Sequence, residues 1–153
     1  MQDAQPEFDL VPVAVSETAL KEPVVLVVDD DAGISMAIKN LCALNKIRCV
    51  QAMSVKDGID AVNDLEFLDV VLHGVLVDVR LPDGAGYKLI DFCRTRRPKL
   101  PAAVMTAFPD DDLIRWLQET GVPLLMKPFS VRSVCEWLDR ARSYPDPRKL
   151  ASG

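Results

Sequence analysis

The chain has 153 residues, 49% hydrophobic and 27% charged, with a net charge of −5, which describes one soluble globular domain able to bury most of its apolar surface. The acidic balance argues against a direct grip on nucleic acid, while the lack of a spanning apolar run or a secretory signal argues against a membrane and for the cytoplasm. Its four cysteines show no C-x-x-C spacing and there is a single histidine, so neither a zinc site nor a disulfide framework is expected.

Residues 1–22 carry Pro6, Pro12 and several acidic residues without any period, and are expected to form a loosely ordered tail. Val11 to Val15 is at most an extended edge piece. The domain itself is expected over 23–143, with a second tail over 144–153. It starts with the β-branched run Val24–Val28, a strand ending in Asp29-Asp30-Asp31. Ile34, Ala37, Ile38, Leu41 and Leu44 recur at helical spacing and predict a first helix over 33–45. Ile47 to Val50 suits a second strand, and Ser54 caps a helix carrying Val55, Ile59, Val62 and Leu65 on one face. Val75–Val79 is a third strand that breaks into the turn Pro82-Asp83-Gly84, and a third helix is expected over 85–97 with Leu89, Ile90 and Cys93 inward. Ala102–Met105 forms a fourth strand ending at Thr106, and Asp110, Asp111 and Asp112 open a fourth helix. Val122–Met126 is a fifth strand ending at Lys127-Pro128. Ser130 then caps a last helix, with Val131, Val134, Leu138 and Ala141 as its inward stripe.

Five strands alternating with five helices imply an α/β fold, a doubly wound parallel sheet, for which the flavodoxin-like order 2-1-3-4-5 is the simplest topology. All C-terminal strand ends then lie on one edge, where such sheets place their ligands. Asp29/Asp30, Asp78, Thr106 and Lys127 occupy four of those ends. Three neighbouring carboxylates repel unless a cation compensates them, and an all-oxygen set suits Mg²⁺. An aspartate is a competent nucleophile toward phosphorus, and a lysine and a hydroxyl suit the oxygens of a transferring phosphoryl group. Each residue also has a blander account: Asp78 starting a turn, Asp30 or Asp31 capping a helix, Thr106 in an edge loop, Lys127 in solvent. It is their joint placement that argues for a site.

In this order and spacing, Val24-Val25-Leu26-Val27-Val28-Asp29-Asp30, Val77-Asp78-Val79-Arg80-Leu81-Pro82-Asp83-Gly84, Met105-Thr106-Ala107 and Lys127-Pro128-Phe129 resemble the CheY-like receiver domain of two-component response regulators. The resemblance covers roughly Pro23 to Arg142. It implies that Asp78 accepts phosphate from a sensor histidine kinase or a histidine phosphotransfer protein in a phosphorelay. It further implies direct Mg²⁺ ligation by Asp30 and Asp78, ligation by Asp29 mainly through water, and a contribution from the Arg80 carbonyl. Thr106 and Lys127 would contact the phosphoryl group, and the Lys127–Pro128 bond is expected to be cis. Ending the strand at Val28 settles which of the three consecutive aspartates takes which place.

The family usually has an aromatic residue where this chain has Leu124, which puts the usual output coupling in doubt. Arg80 and Phe108, flanking the expected site, are read as screening the approach of water and prolonging the phosphorylated state. Output is expected through changed partner binding or a homodimer on the face of the fourth helix, fifth strand and fifth helix, with Trp116, Leu124 and Trp137 contributing and Leu113 and Ile114 nearby. Two alternatives stand beside this reading. One is a haloacid dehalogenase-like phosphatase, with Asp29 as nucleophile and Asp31 as acid; the other is a receiver fold used only for docking.

Overall fold

Every residue of the first strand, Val24–Val28, is buried. Successive strand residues point to opposite faces, so a run apolar at every position needs cover on both sides. The computed structural model, which describes residues 22–147, provides it. In chain order the elements are β1 (Val24–Val28), α1 (Ala32–Leu44), β2 (Arg48–Ala52), α2 (Val55–Phe67), β3 (Gly74–Asp78), α3 (Tyr87–Arg96), β4 (Ala102–Thr106), α4 (Asp111–Thr120), β5 (Leu124–Met126) and α5 (Val131–Arg142). The strands pair in parallel in the order β2-β1-β3-β4-β5, the expected flavodoxin-like arrangement. Val25 and Val27 meet Ile38 and Cys42 of α1 and Val134 and Leu138 of α5 on one face. Leu26 and Val28 belong to the opposite core with Val62, Leu89, Ile90, Cys93 and Leu113 of α2, α3 and α4.

The helix starts follow from their caps. Asp31 accepts from the N–H groups of Gly33 and Ile34, Ser54 from Asp57, Asp110 from Leu113 and Ser130 from Ser133. Each such cap is worth about 1 kcal/mol. α4 stops at Gly121, whose φ of 71° is the left-handed conformation that ends helices. Among the described residues no helix is long and apolar enough to cross a membrane.

Some boundaries and faces differ from expectation. A small hairpin, Arg80–Leu81 against Gly84–Ala85, takes up the residues before α3, which therefore starts at Tyr87. β5 begins only at Leu124, since Pro123 has no N–H for a ladder. Ala37 and Leu44 of α1 are exposed; its buried stripe runs through Ser35, Ile38 and Cys42.

The stripe of α5 is the main correction. Val131 is 63% exposed while Trp137 is 3% exposed, so the inward set is Val134, Trp137, Leu138 and Ala141, at i, i+3, i+4 and i+7. The room for an indole comes from β3. A Cβ on Gly74 would sit 3.0 Å from both Trp137 Cη2 and the Ala141 Cβ. Trp137 Nε1 is buried without a hydrogen-bond partner. Apart from Glu22, the expected N-terminal tail lies outside the described residues, including Val11 to Val15. Of the expected C-terminal tail, Tyr144 is half-buried and meets His73 edge-on at 6.4 Å.

Candidate functional site

Parallel pairing carries the ends of β1, β3 and β4 to one edge. Asp29 follows the last residue of β1 and is fastened to β2 by its N–H on the Ala52 carbonyl (3.1 Å). Its side chain is buried, with Oδ1 accepting from the Asp31 N–H at 2.8 Å and Oδ2 from Lys127 Nζ at 2.9 Å. Asp78 ends β3, is 8% exposed, and has Oδ2 3.4 Å from the same ammonium. Its Oδ1 receives a long contact, 3.4 Å, from the Arg80 N–H. Asp30 is exposed, and Asp29, Asp30 and Asp78 each offer a carboxylate oxygen within 4.8 Å of the others.

Thr106 is buried at the end of β4, its Oγ1 accepting from the Phe108 N–H at 3.2 Å. The Lys127 N–H donates to the Thr106 carbonyl at 2.8 Å, which ties the lysine to β4. The Lys127–Pro128 peptide is cis. Arg80 and Phe108 are both exposed, Phe108 at 72%. Every residue singled out for the site therefore lies on this edge or in the loops that leave it.

The electrostatics are unbalanced. Burial and the Asp29 charge push the Asp78 carboxyl above its usual range, and Lys127 and the Arg80 N–H only partly offset them. Burial works to lower the Lys127 ammonium, yet Asp29 and Asp78 together hold it above its usual value. One ammonium faces three carboxylates, and the surplus negative charge, borne entirely on oxygen, fits a hard divalent cation such as Mg²⁺. Asp29, Asp30 and Asp78 would hold it.

An aspartate with a raised folded value binds protons better folded than unfolded, so it loses stability as pH rises from the usual 3.8 through that value. Asp78→Asn is therefore expected to stabilise the metal-free chain at neutral pH, with a gain that shrinks toward pH 4. Urea unfolding at both pH values checks this; an equal effect at both would show that Asp78 is not electrostatically strained.

One contributor carried only a turn signal in the sequence. Asp83 Oδ1 and Oδ2 accept from the N–H groups of Val55 and Lys56, at 2.8 and 2.9 Å, so the turn after β3 caps α2. Asp31, by contrast, is committed to capping α1 and is not aimed at the site as a general acid. The expected interaction face also changes. Trp137 and Leu113 are core, and Trp116 turns toward α3, tilted on Tyr87 at 4.9 Å with Nε1 donating to Asp91. Leu124 is half-buried against the α2–α4 core and pairs with Val104.

Comparison with known proteins agrees with this geometry. The response regulator receiver domain family matches residues 25–139. The DNA-binding transcriptional regulator NtrC of Proteus hauseri is 30% identical over 118 residues, 76% of this chain and 24% of that protein. The response regulator protein PilR of Pseudomonas aeruginosa is 28% identical over 80% of this chain and 26% of its own length. The chain thus spans about a quarter of these relatives. The non-phosphorylated HemR receiver domain from Leptospira biflexa superposes with a TM-score of 0.67 at 26% identity, covering 82% of this chain and 98% of that one. Neither the phosphatase reading nor the docking-only reading finds support there. With a family match running over well more than half of its sequence, the chain belongs to the response regulator receiver domain family, and its function is phosphorylation-dependent signalling.

Proposed function

We propose that Asp78 accepts a phosphoryl group from the phosphohistidine of a sensor histidine kinase or histidine phosphotransfer protein. A carboxylate oxygen of Asp78 bonds to phosphorus as the phosphorus–nitrogen bond breaks, and the imidazole leaves. The observation that carries this is Lys127 Nζ held between Asp29 and Asp78, a fixed positive charge beside the nucleophile. Mg²⁺ bound by Asp29, Asp30, Asp78 and the Arg80 carbonyl would supply charge to the phosphoryl oxygens. Thr106 turns its hydroxyl from the Phe108 N–H to a phosphoryl oxygen once Asp78 is modified. Arg80 and Phe108, both exposed beside the site, screen the water that would hydrolyse the acyl phosphate.

Output runs through changed partner binding or self-association on the α4–β5–α5 face, where Ile114 and Met126 are exposed. In this reading the chain works in the cytoplasm and does not itself hold nucleic acid, in keeping with its net charge of −5. Incubation with acetyl phosphate and Mg²⁺ followed by intact mass is the test. One phosphate adduct is expected in wild type and none in Asp78→Asn; an adduct retained in the variant would overturn the assignment. In the same assay the adduct should decay faster in Phe108→Ala, and faster still in Arg80→Asn with Phe108→Glu. Sedimentation with and without beryllofluoride reads the output face.

A further inference from the structure

The end of the sheet where the strands begin, opposite the acidic cluster, carries an open groove of about 400 Å³. Arg97, Pro98 and Lys99, in the loop from α3 into β4, form one wall, and Tyr144, Pro145 and Pro147, after α5, form the other. The floor is thus a tyrosine ring and prolines, and the rim is cationic. Four of the six residues 94–99 are basic, and no acidic residue occurs between Asp91 and Asp110. Of the acids nearby, Glu66 meets Arg96 at 3.5 Å and Asp146 belongs to the second wall's segment, but among the described residues none lines the groove. Arg97, Pro98, Lys99 and Pro145 are exposed, so nothing within residues 22–147 covers it.

The root of the N-terminal segment lies beside this groove. Val24 opens β1; its carbonyl accepts from the His73 N–H at 2.7 Å, and its own N–H donates to His73 Nδ1 at 3.2 Å. The His73 ring in turn meets Tyr144 edge-on. One side chain therefore stands between the start of β1 and the groove wall. Residues 1–21, which lie outside the described ones, have the complementary composition: Asp3, Glu7, Asp9 and Glu17 are acidic, and no basic residue precedes Lys21. Phe8 and Leu10 alternate with Glu7 and Asp9, which sets an aromatic side chain between two carboxylates. We propose that the segment Glu7-Phe8-Asp9-Leu10 of this same chain docks in the groove, with Phe8 on the tyrosine–proline floor and Glu7 and Asp9 against the Arg97–Lys99 rim. Exposed ion pairs alone would not hold it, so the apolar anchor supplies the affinity and the charges set the register. The tether supplies the rest. From Glu22 back to Phe8 the chain spans up to roughly 45 Å, and a tether of that order gives an effective concentration of about 1 mM. A contact too weak to join separate molecules is then filled within one. Docking straps the entry of β1 to the exit of α5 and leaves the edge with Asp78 open.

A water-soluble carbodiimide, which joins a carboxylate to an ammonium only in contact, tests this on the full chain. Within the monomer Glu7 or Asp9 should link to Lys99. Trypsin should then release peptide 1–21 joined to 97–115, because Arg97 precedes a proline and a linked lysine is not cut. Phe8→Ala with Leu10→Ala keeps every charge and should lower the yield of that link by at least about tenfold, as expected for losing a buried aromatic anchor. The chain has two tyrosines, and the ring signals of Tyr144 should shift in that variant and in Glu7→Gln with Asp9→Asn, while those of Tyr87, packed on Trp116, stay in place. Links to Lys39, Lys46, Lys56 or Lys88 in equal yield, an undiminished link in the Phe8 and Leu10 variant, a link only between chains, or unmoved Tyr144 signals would each overturn the proposal.

Discussion

Lys127→Met is expected to cost the metal-free chain about 3 kcal/mol at neutral pH, because it removes one partner of a buried ion pair and leaves the other charged. The Asp29 side chain has no exposed surface and its Oδ2 meets Nζ at 2.9 Å, so no solvent stands ready to replace the ammonium. Asp78 loses its nearest positive charge as well, at 3.4 Å. A ceiling exists, since an abandoned carboxylate can take up a proton, and at pH 7 that costs about 4 kcal/mol. The penalty should therefore shrink as pH falls toward 4. In wild type the lysine's own contribution is intact at neutral pH, because its raised value is lost only at pH above the usual 10.5. Urea unfolding at pH 7 and pH 4, without divalent ions, measures both effects. A loss below about 1 kcal/mol at pH 7 would mean that solvent screens the cluster as it does a surface pair. Millimolar Mg²⁺ is expected to restore part of the loss, since a cation among Asp29, Asp30 and Asp78 stands in for the missing charge.

The sequence was most legible where local chemistry and position coincide. Val24–Val28 and Val75–Val77 are apolar at successive positions, which only a doubly covered strand tolerates, and Asp29 and Asp78 then fall at the strand ends without further assumption. Caps such as Ser54 and Ser130 act within one turn and could be read directly. Features set by tertiary approach could not. The apolar spacing of α5 fits two stripes, and what selects the one with Trp137 is the space above Gly74, which lies more than sixty residues earlier in the chain. Asp83 looked like a turn residue because its partners, the N–H groups of Val55 and Lys56, lie on another element. The same holds for Lys127: its place at the end of a strand could be read, its position between two aspartates could not.

Gly86→Ala is the second substitution expected to have a large effect, and its cause is close approach rather than backbone freedom. Gly86 has φ −62° and ψ −30°, which any residue adopts. Its N–H donates to the Val79 carbonyl at 2.8 Å, and its own carbonyl accepts from Leu89 at the start of α3. This fold of the chain lays Gly86 directly on the backbone of Asp78, where an added Cβ would collide with the Asp78 carbonyl oxygen. A flexible side chain could step aside; a strand carbonyl cannot, because Asp78 is in register with Met105 and the next N–H donates to the Met105 carbonyl at 3.0 Å. Either the hairpin lifts off or Asp78 shifts. The expected cost is about 2–3 kcal/mol, the upper range for overpacking. If Asp78 moves, acetyl phosphate labelling should slow by about 100-fold, as expected for a nucleophile misplaced by 1 Å. Gly84→Ala separates the causes. Gly84 has φ 143° and open space around it, so alanine there is strained but collides with nothing. It should lower stability while leaving the rate of labelling near wild type. Gly86→Ala with wild-type stability and labelling would show that the loop yields freely, and that the seat of Asp78 does not depend on the glycine beneath it.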